Sequence, residues 1–401
     1  MRLIIYTGKG GTGKTVSACS TAILIAEEGS RTLLLSSDPA HTLADALIRP
    51  DLGTEPKEVI PNLQAVQVDP LVEMNKHYSS ILSYAASMLH TKGLDETLAY
   101  ELAMLPGMTQ LFSLLMIENV ARTKSFDTIV LDMAASGEAL RYLFLPKIAG
   151  SVGRKLSSLA GVFSGFSKIF QPFAKASGVP EGVLENELEL LDRLGRLSKL
   201  MVDRDQTTIR LVVNPDTFSI ENAKRTFMSA SLYGLSVDLV VINKIMPVGS
   251  PDPYYSSWAE SQRLKVEDAK TSFYPLPVRE VKLYDNELIG VDMLRENGRV
   301  LFETSHPAEV LFKGDSYRFR KEGSSFLMNV KVPFTKKDDF DVERYGDQIT
   351  IKVKNQTGFM INTIPLPAIT FNMKLSKAKL VGDELVIIFE DTAYSGKNTK
   401  A

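Results

Sequence analysis

The chain has 401 residues, room for two or three domains at a typical ~150 residues each. Its 46 lysines and arginines against 48 aspartates and glutamates give a formal net charge of -2, so no global charge argues for a nucleic-acid or other polyanion partner. Hydrophobic residues at 44% with 23% charged exclude intrinsic disorder. The single Cys19 excludes an intramolecular disulfide or a cysteine-based zinc site and fits a reducing compartment.

From the N-terminus, Leu3-Ile4-Ile5-Tyr6 enters an apolar strand at once, without the basic region and small-residue cleavage site of a signal peptide. No apolar run approaches the ~18 residues that span a bilayer. A cytoplasmic protein with no stable membrane insertion is expected, or one of the plastid stroma if the form is processed. Short apolar runs at Leu3 to Thr7, Thr32 to Ser37, Thr128 to Asp132, Ile209 to Asn214 and Val237 to Asn243 alternate with helical patterns. That rhythm predicts a parallel sheet wrapped by helices. Two stretches, roughly 71–124 and 147–202, repeat leucine, methionine and phenylalanine at three- and four-residue spacing and predict an all-helical subdomain inserted into the core. After a joint at 305–316 the pattern changes to short strands (Phe326 to Val332, Gln348 to Val353, Met360 to Ile364, Lys379 to Val381, Glu384 to Phe389), which predict a β-sandwich over 317–401. Residues 1–304 then form the first domain.

Gly8-Lys9-Gly10-Gly11-Thr12-Gly13-Lys14-Thr15 fits G-x-x-x-x-G-K-[ST], follows an apolar strand and precedes a helical pattern starting at Val16. The glycines let backbone N–H groups converge on phosphate oxygens, Lys14 reaches the β/γ-phosphates, and the Thr15 hydroxyl ligates Mg²⁺. The fold class is therefore α/β: a P-loop NTPase with a doubly wound, mostly parallel sheet, binding nucleotide phosphates and Mg²⁺. A second lysine, Lys9, cannot easily reach the phosphates that Lys14 holds; it is either a solvated loop residue or acts across a dimer interface. Asp38, after the second strand, belongs at the ligand-binding edge of an open sheet. There it can orient or deprotonate the attacking water and touch the metal through water, or simply cap the next helix. Asp132 closes another strand, as a carboxylate binding Mg²⁺ through its water shell would.

Taken together, K-G-G-T-G-K-T, S-S-D-P-A-H-T and L-D-M-A-A-S-G-E-A-L-R-Y-L resemble the arsenite-pump ATPase and tail-anchored-protein targeting ATPase family over about 300 residues. The resemblance runs on through Leu105-Pro106-Gly107-Met108 and through Leu232-Tyr233-Gly234 to Asn243. Tyr345-Gly346-Asp347 to Phe389 is similar to the α-crystallin-like, small-heat-shock-type domain appended to some members. The resemblance implies a homodimer sandwiching two ATPs, with Lys9 contacting the partner's nucleotide, Asp38 activating water, Asn243 reading the adenine edge and Pro275, Leu276 and Pro277 forming the adenine loop. It also implies a hydrophobic helical client held in the helical subdomain. Leu156, Leu159, Phe163, Phe166, Phe170 and Phe173 are candidates for that groove, or else a core-facing stripe. Relatives read D-T-A-P-T-G-H where this chain reads Asp132-Met133-Ala134-Ala135-Ser136-Gly137-Glu138, which alters the switch that couples γ-phosphate to client. A positioning ATPase of the partition or septum type and a nucleotide-gated scaffold with negligible turnover are the alternatives. Arsenite stimulation needs a thiol cluster, and one cysteine does not make one.

Overall fold

A computed structural model describes residues 1–37, 42–69, 72, 108–133, 181–247, 253–314, 317–323, 325–355 and 358–391. Asp38, His77, His90, Leu105 to Gly107, the switch residues Ala134 to Glu138 and the Leu156 to Phe173 stripe lie outside the described residues, as does most of the expected helical insert. In chain order the first elements are β1 (Arg2–Thr7), α1 (Lys14–Glu27), β2 (Thr32–Ser36), α2 (Thr42–Leu47), β3 (Lys57–Ile60), β4 (Leu63–Gln67), α3 (Met108–Thr123), β5 (Thr128–Asp132) and α4 (Glu181–Val202). They are followed by β6 (Thr207–Val213), α5 (Thr217–Tyr233), β7 (Val237–Ile245), α6 (Pro253–Phe273), β8 (Val278–Lys282) and α7 (Val291–Leu301). Two compact units make up the chain: Met1–Thr207 with Tyr284–Glu309, and Thr208–Leu283 with Val310–Ala401.

In the first unit the strands lie in the order β3-β4-β2-β5-β1, parallel except for the β3-β4 hairpin. Every residue of β2 and β5 is buried, as is β1 from Leu3 onward. Strands covered on both faces read as continuous rather than alternating apolar runs, which is why they stand out in the sequence. Helix α7 packs on α1 at very close range. A Cβ on Gly298 would come within 2.9 Å of the Ser20 carbonyl oxygen and of Leu24 Cγ. Alongside, Asn297 Nδ2 donates to Ser20 Oγ at 2.9 Å and Arg295 meets Glu27 at 2.5 Å. Helices α3 and α4 are tied through buried Glu118, which accepts from Arg193 Nε at 2.9 Å and Arg196 Nε at 2.6 Å.

In the second unit β6, β7 and β8 are parallel neighbours. Arg210 of β6 and Asp238 of β7, both fully buried, face one another at 3.5 Å. The C-terminal strands are β9 (Tyr317–Glu322), β10 (Ser325–Lys331), β11 (Phe340–Tyr345), β12 (Gln348–Asn355), β13 (Gly358–Pro365), β14 (Met373–Val381) and β15 (Glu384–Asp391). They build two antiparallel sheets, β14-β15-β10-β9 and β11-β12-β13, around one apolar core. The sandwich is the one expected, with two strands the apolar pattern passes over. Tyr-Arg-Phe-Arg-Lys-Glu in β9 and Phe-Asp-Val-Glu-Arg-Tyr in β11 carry charge on their outer faces, so their apolar residues are too few and too spaced to form a run.

Candidate functional site

Between β1 and α1 the chain turns through Gly8, Gly11 and Gly13, all with positive φ (157°, 77° and 96°). Only glycine adopts this sequence of conformations without strain. Thr12 is fully buried, and its Oγ1 donates to the Lys9 carbonyl at 2.9 Å, closing the loop on itself. Gly13 is the N-cap of α1 and offers no side-chain oxygen to the helix, and no acidic residue stands in the first turn. The positive end of α1 thus carries no counter-charge from its own cap or first turn, the electrostatics that favour a phosphate. Lys14 is buried, with its Nζ 3.4 Å from the Lys9 carbonyl, whereas Lys9 is exposed. The two lysines are thus placed differently.

Strand register brings Asp132 to the same place. On β5 it stands level with Tyr6 of β1 on one side and Ser36 of β2 on the other, and it is fully buried. Thr15 Oγ1 donates to Asp132 Oδ2 at 2.7 Å, and Thr42 Oγ1 lies 3.2 Å from Thr15 Oγ1. Two hydroxyls and a carboxylate are hard oxygen donors of the kind Mg²⁺ takes with phosphate and water. The residues present fit that ion. Thr42 is the member that sequence reading did not assign; its only signal was that it ends the S-S-D-P-A-H-T segment. Ser37, next to Asp38 in the chain, is held by its N–H donating to the Asp132 carbonyl at 3.0 Å. Cys19, one turn into α1, is fully buried, and desolvation first, then the nearby Asp132 charge, pushes its thiol well above the usual range.

In the second unit, Asn243 ends the buried part of β7, with its Oδ1 accepting from Lys244 N–H at 2.9 Å. Asn214, just beyond β6, follows Val213, whose register partner on β7 is Ile242, the residue before Asn243. Pro275, Leu276 and Pro277 bridge α6 and β8; Leu276 is buried, and the Pro277 carbonyl accepts from Val240 N–H at 3.0 Å. Among the described residues no His, Cys, Asp and Glu group forms a metal cluster, and no helix is long and apolar enough to cross a membrane.

A glycine loop closing on a buried lysine, a helix start without a side-chain cap of its own and a strand-end carboxylate bonded to the loop threonine are the parts of a P-loop nucleotide site. The anion-transporting ATPase family matches residues 1–303, and the HSP20-like domain found in ArsA matches residues 323–389; the chain belongs to that ATPase family and carries that C-terminal domain. It is 32% identical over 372 residues to a protein of Prosthecochloris vibrioformis named as an arsenical pump-driving ATPase, covering 91% of each chain. A similarly named ATPase 1 of Aquifex aeolicus is 27% identical over 96% of this chain and 99% of its own. ATPase get3 of Pyrenophora tritici-repentis is 25% identical over 77% of this chain and 93% of its own.

Proposed function

We propose that the chain is a homodimeric ATPase in which Mg-ATP binding and hydrolysis open and close a hydrophobic helical groove for apolar client segments. The observation that carries the nucleotide half is the 2.7 Å bond between Thr15 and buried Asp132 beneath the uncapped end of α1. Gly8, Gly10, Gly11, Thr12, Gly13 and Val16 shape the loop and its helix start, so that backbone N–H groups meet the phosphates. Lys14 neutralises charge on the β/γ-phosphates. Mg²⁺, when bound, would be held by Thr15 and, through water, by Asp132 and Asp38, and would neutralise charge on the phosphate oxygens. Asp38 orients the attacking water and accepts its proton. Lys9 reaches the partner's nucleotide, as its resemblance-based role requires. Asn243 with Pro275, Leu276 and Pro277 holds the adenine.

The arsenical-pump names of the bacterial relatives do not carry over to an arsenite-stimulated activity here. Such stimulation requires clustered, ionisable thiols, and Cys19 stands alone with a buried, upshifted thiol.

Steady-state turnover and sedimentation test the reading together. Asp38→Asn is expected to keep nucleotide binding and lose turnover by at least about 100-fold, the lower range for a general base. Lys14→Ala should lose both. Lys9→Ala should retain ATP binding and lose turnover and nucleotide-dependent dimerisation. A chain that sediments as a monomer with and without an ATP transition-state mimic overturns the dimer.

A further inference from the structure

The sandwich matched by the HSP20-like domain shares its core with a helix of the ATPase. Met228 and Leu232, on the last turns of α5 within the span matched by the ATPase family, belong to the same buried cluster as Met328, Ile349, Ile351, Met360 and Ile387. Polar contacts follow the apolar ones. Asn362 of β13, itself buried, donates through Nδ2 to the Leu232 carbonyl at 2.6 Å. That carbonyl is among the last four of α5, which no helical N–H can reach. The sandwich therefore supplies a C-terminal cap to a helix of the ATPase. Thr335 Oγ1 donates to Met228 Sδ at 3.3 Å, and Ser229 Oγ lies 2.8 Å from Met360 Sδ.

A second lock lies in the turn between β10 and β11. Phe334 has φ +63°, a left-handed conformation that a bulky side chain adopts only when its surroundings hold it there. Its ring stands edge-on to Phe227 of α5 at 6.2 Å and to Phe273 of α6 at 6.1 Å, with Lys224 Nζ 5.8 Å over its face. The chain entering the sandwich is fixed as well, because Leu311 N–H donates to Asp238 Oδ2 at 3.2 Å. The far end of α5 is equally firm. Asp216 caps it by accepting from Ser219 N–H at 2.9 Å, and Ser219 Oγ accepts from Asn214 N–H at 2.9 Å. That turn lies at the carboxyl end of β6, the edge at which open parallel sheets bind ligands. Seventeen residues of helix at about 1.5 Å each make a rod of about 25 Å between the two ends.

We propose that α5, locked by Asn362 and Phe334, makes the sandwich one rigid body with β6, β7 and α6, so that nucleotide binding at the strand ends is registered in β13. The inference rests on the ATP-binding reading above. Hydrogen exchange of the full chain, with and without a non-hydrolysable ATP analogue and Mg²⁺, tests it. In the unaltered protein the analogue should slow exchange at least threefold both in residues 8–16 and in 358–365. In Phe334→Gly, which relaxes the backbone and removes the ring, and in Asn362→Ala, which removes only the cap, the first change should persist and the second should disappear. A response at 8–16 without one at 358–365 in the unaltered protein overturns the inference and leaves ATP binding standing. An undiminished response at 358–365 in both variants also overturns it. No response at 8–16 overturns the ATP reading, and the inference with it.

Discussion

Arg31 and Asp127 tie together the starts of two central strands. The guanidinium grips the carboxylate with two bonds, Nε to Oδ2 at 2.9 Å and a terminal nitrogen to Oδ1 at 2.7 Å. Those bonds hold the Asp127 carboxyl down at about 2, against an ordinary 3.8. Because the folded value is the lower one, the pair stabilises the fold above pH 3.8, and that contribution is lost as pH falls through about 2. Both side chains are half exposed, so solvent screening keeps the effect small. Denaturant titrations should show Asp127→Asn less stable than the parent at neutral pH and nearly level with it at pH 2. A second residue-scale expectation concerns Cys19. Its buried, upshifted thiol should resist a thiol reagent in the native protein at pH 8 and react once denaturant is added; rapid native labelling would place Cys19 outside the α1 core. The loop residues were readable because a phosphate loop demands particular atoms at fixed spacing. Thr42 was not, since its nearness to Thr15 depends on how α2 folds back.

At the scale of elements, the contact of α1 with α7 joins residues 277 positions apart, and its closeness depends on one glycine. Gly298→Ala should cost about 1–3 kcal/mol, since the added carbon meets a backbone oxygen that cannot swing aside. A lowered Tm with nucleotide affinity retained is the expected result; an unchanged Tm would show that the helices part without cost. Central strands β1, β2 and β5 were legible from their unbroken apolar runs. The edge strand β3 was not, because it is half exposed and reads Lys-Glu-Val-Ile. β14 was recognised only in its last three residues for a like reason, as lysines alternate along its outer face.

For the whole molecule, the shared core predicts that part of the ATPase unfolds with the sandwich. Trp258, the single tryptophan, sits on α6 and reports that region by fluorescence. Ile351 is fully buried in the sandwich, and Ile351→Ala should cost about 2–5 kcal/mol. The tryptophan transition should shift to lower denaturant with it; an unmoved transition would mean that the sandwich melts alone. The sequence by itself determined the α/β class, the phosphate loop, the family resemblance and the β-rich C-terminus, because each is written in local spacing: turn glycines, apolar runs and short motifs. Only the tertiary structure decided that Thr42 joins Thr15 and Asp132, that Gly298 lets α7 approach α1, and that Met228 and Leu232 complete the core of the sandwich. Such pairings depend on which surfaces meet after folding, and spacing along the chain carries no record of them.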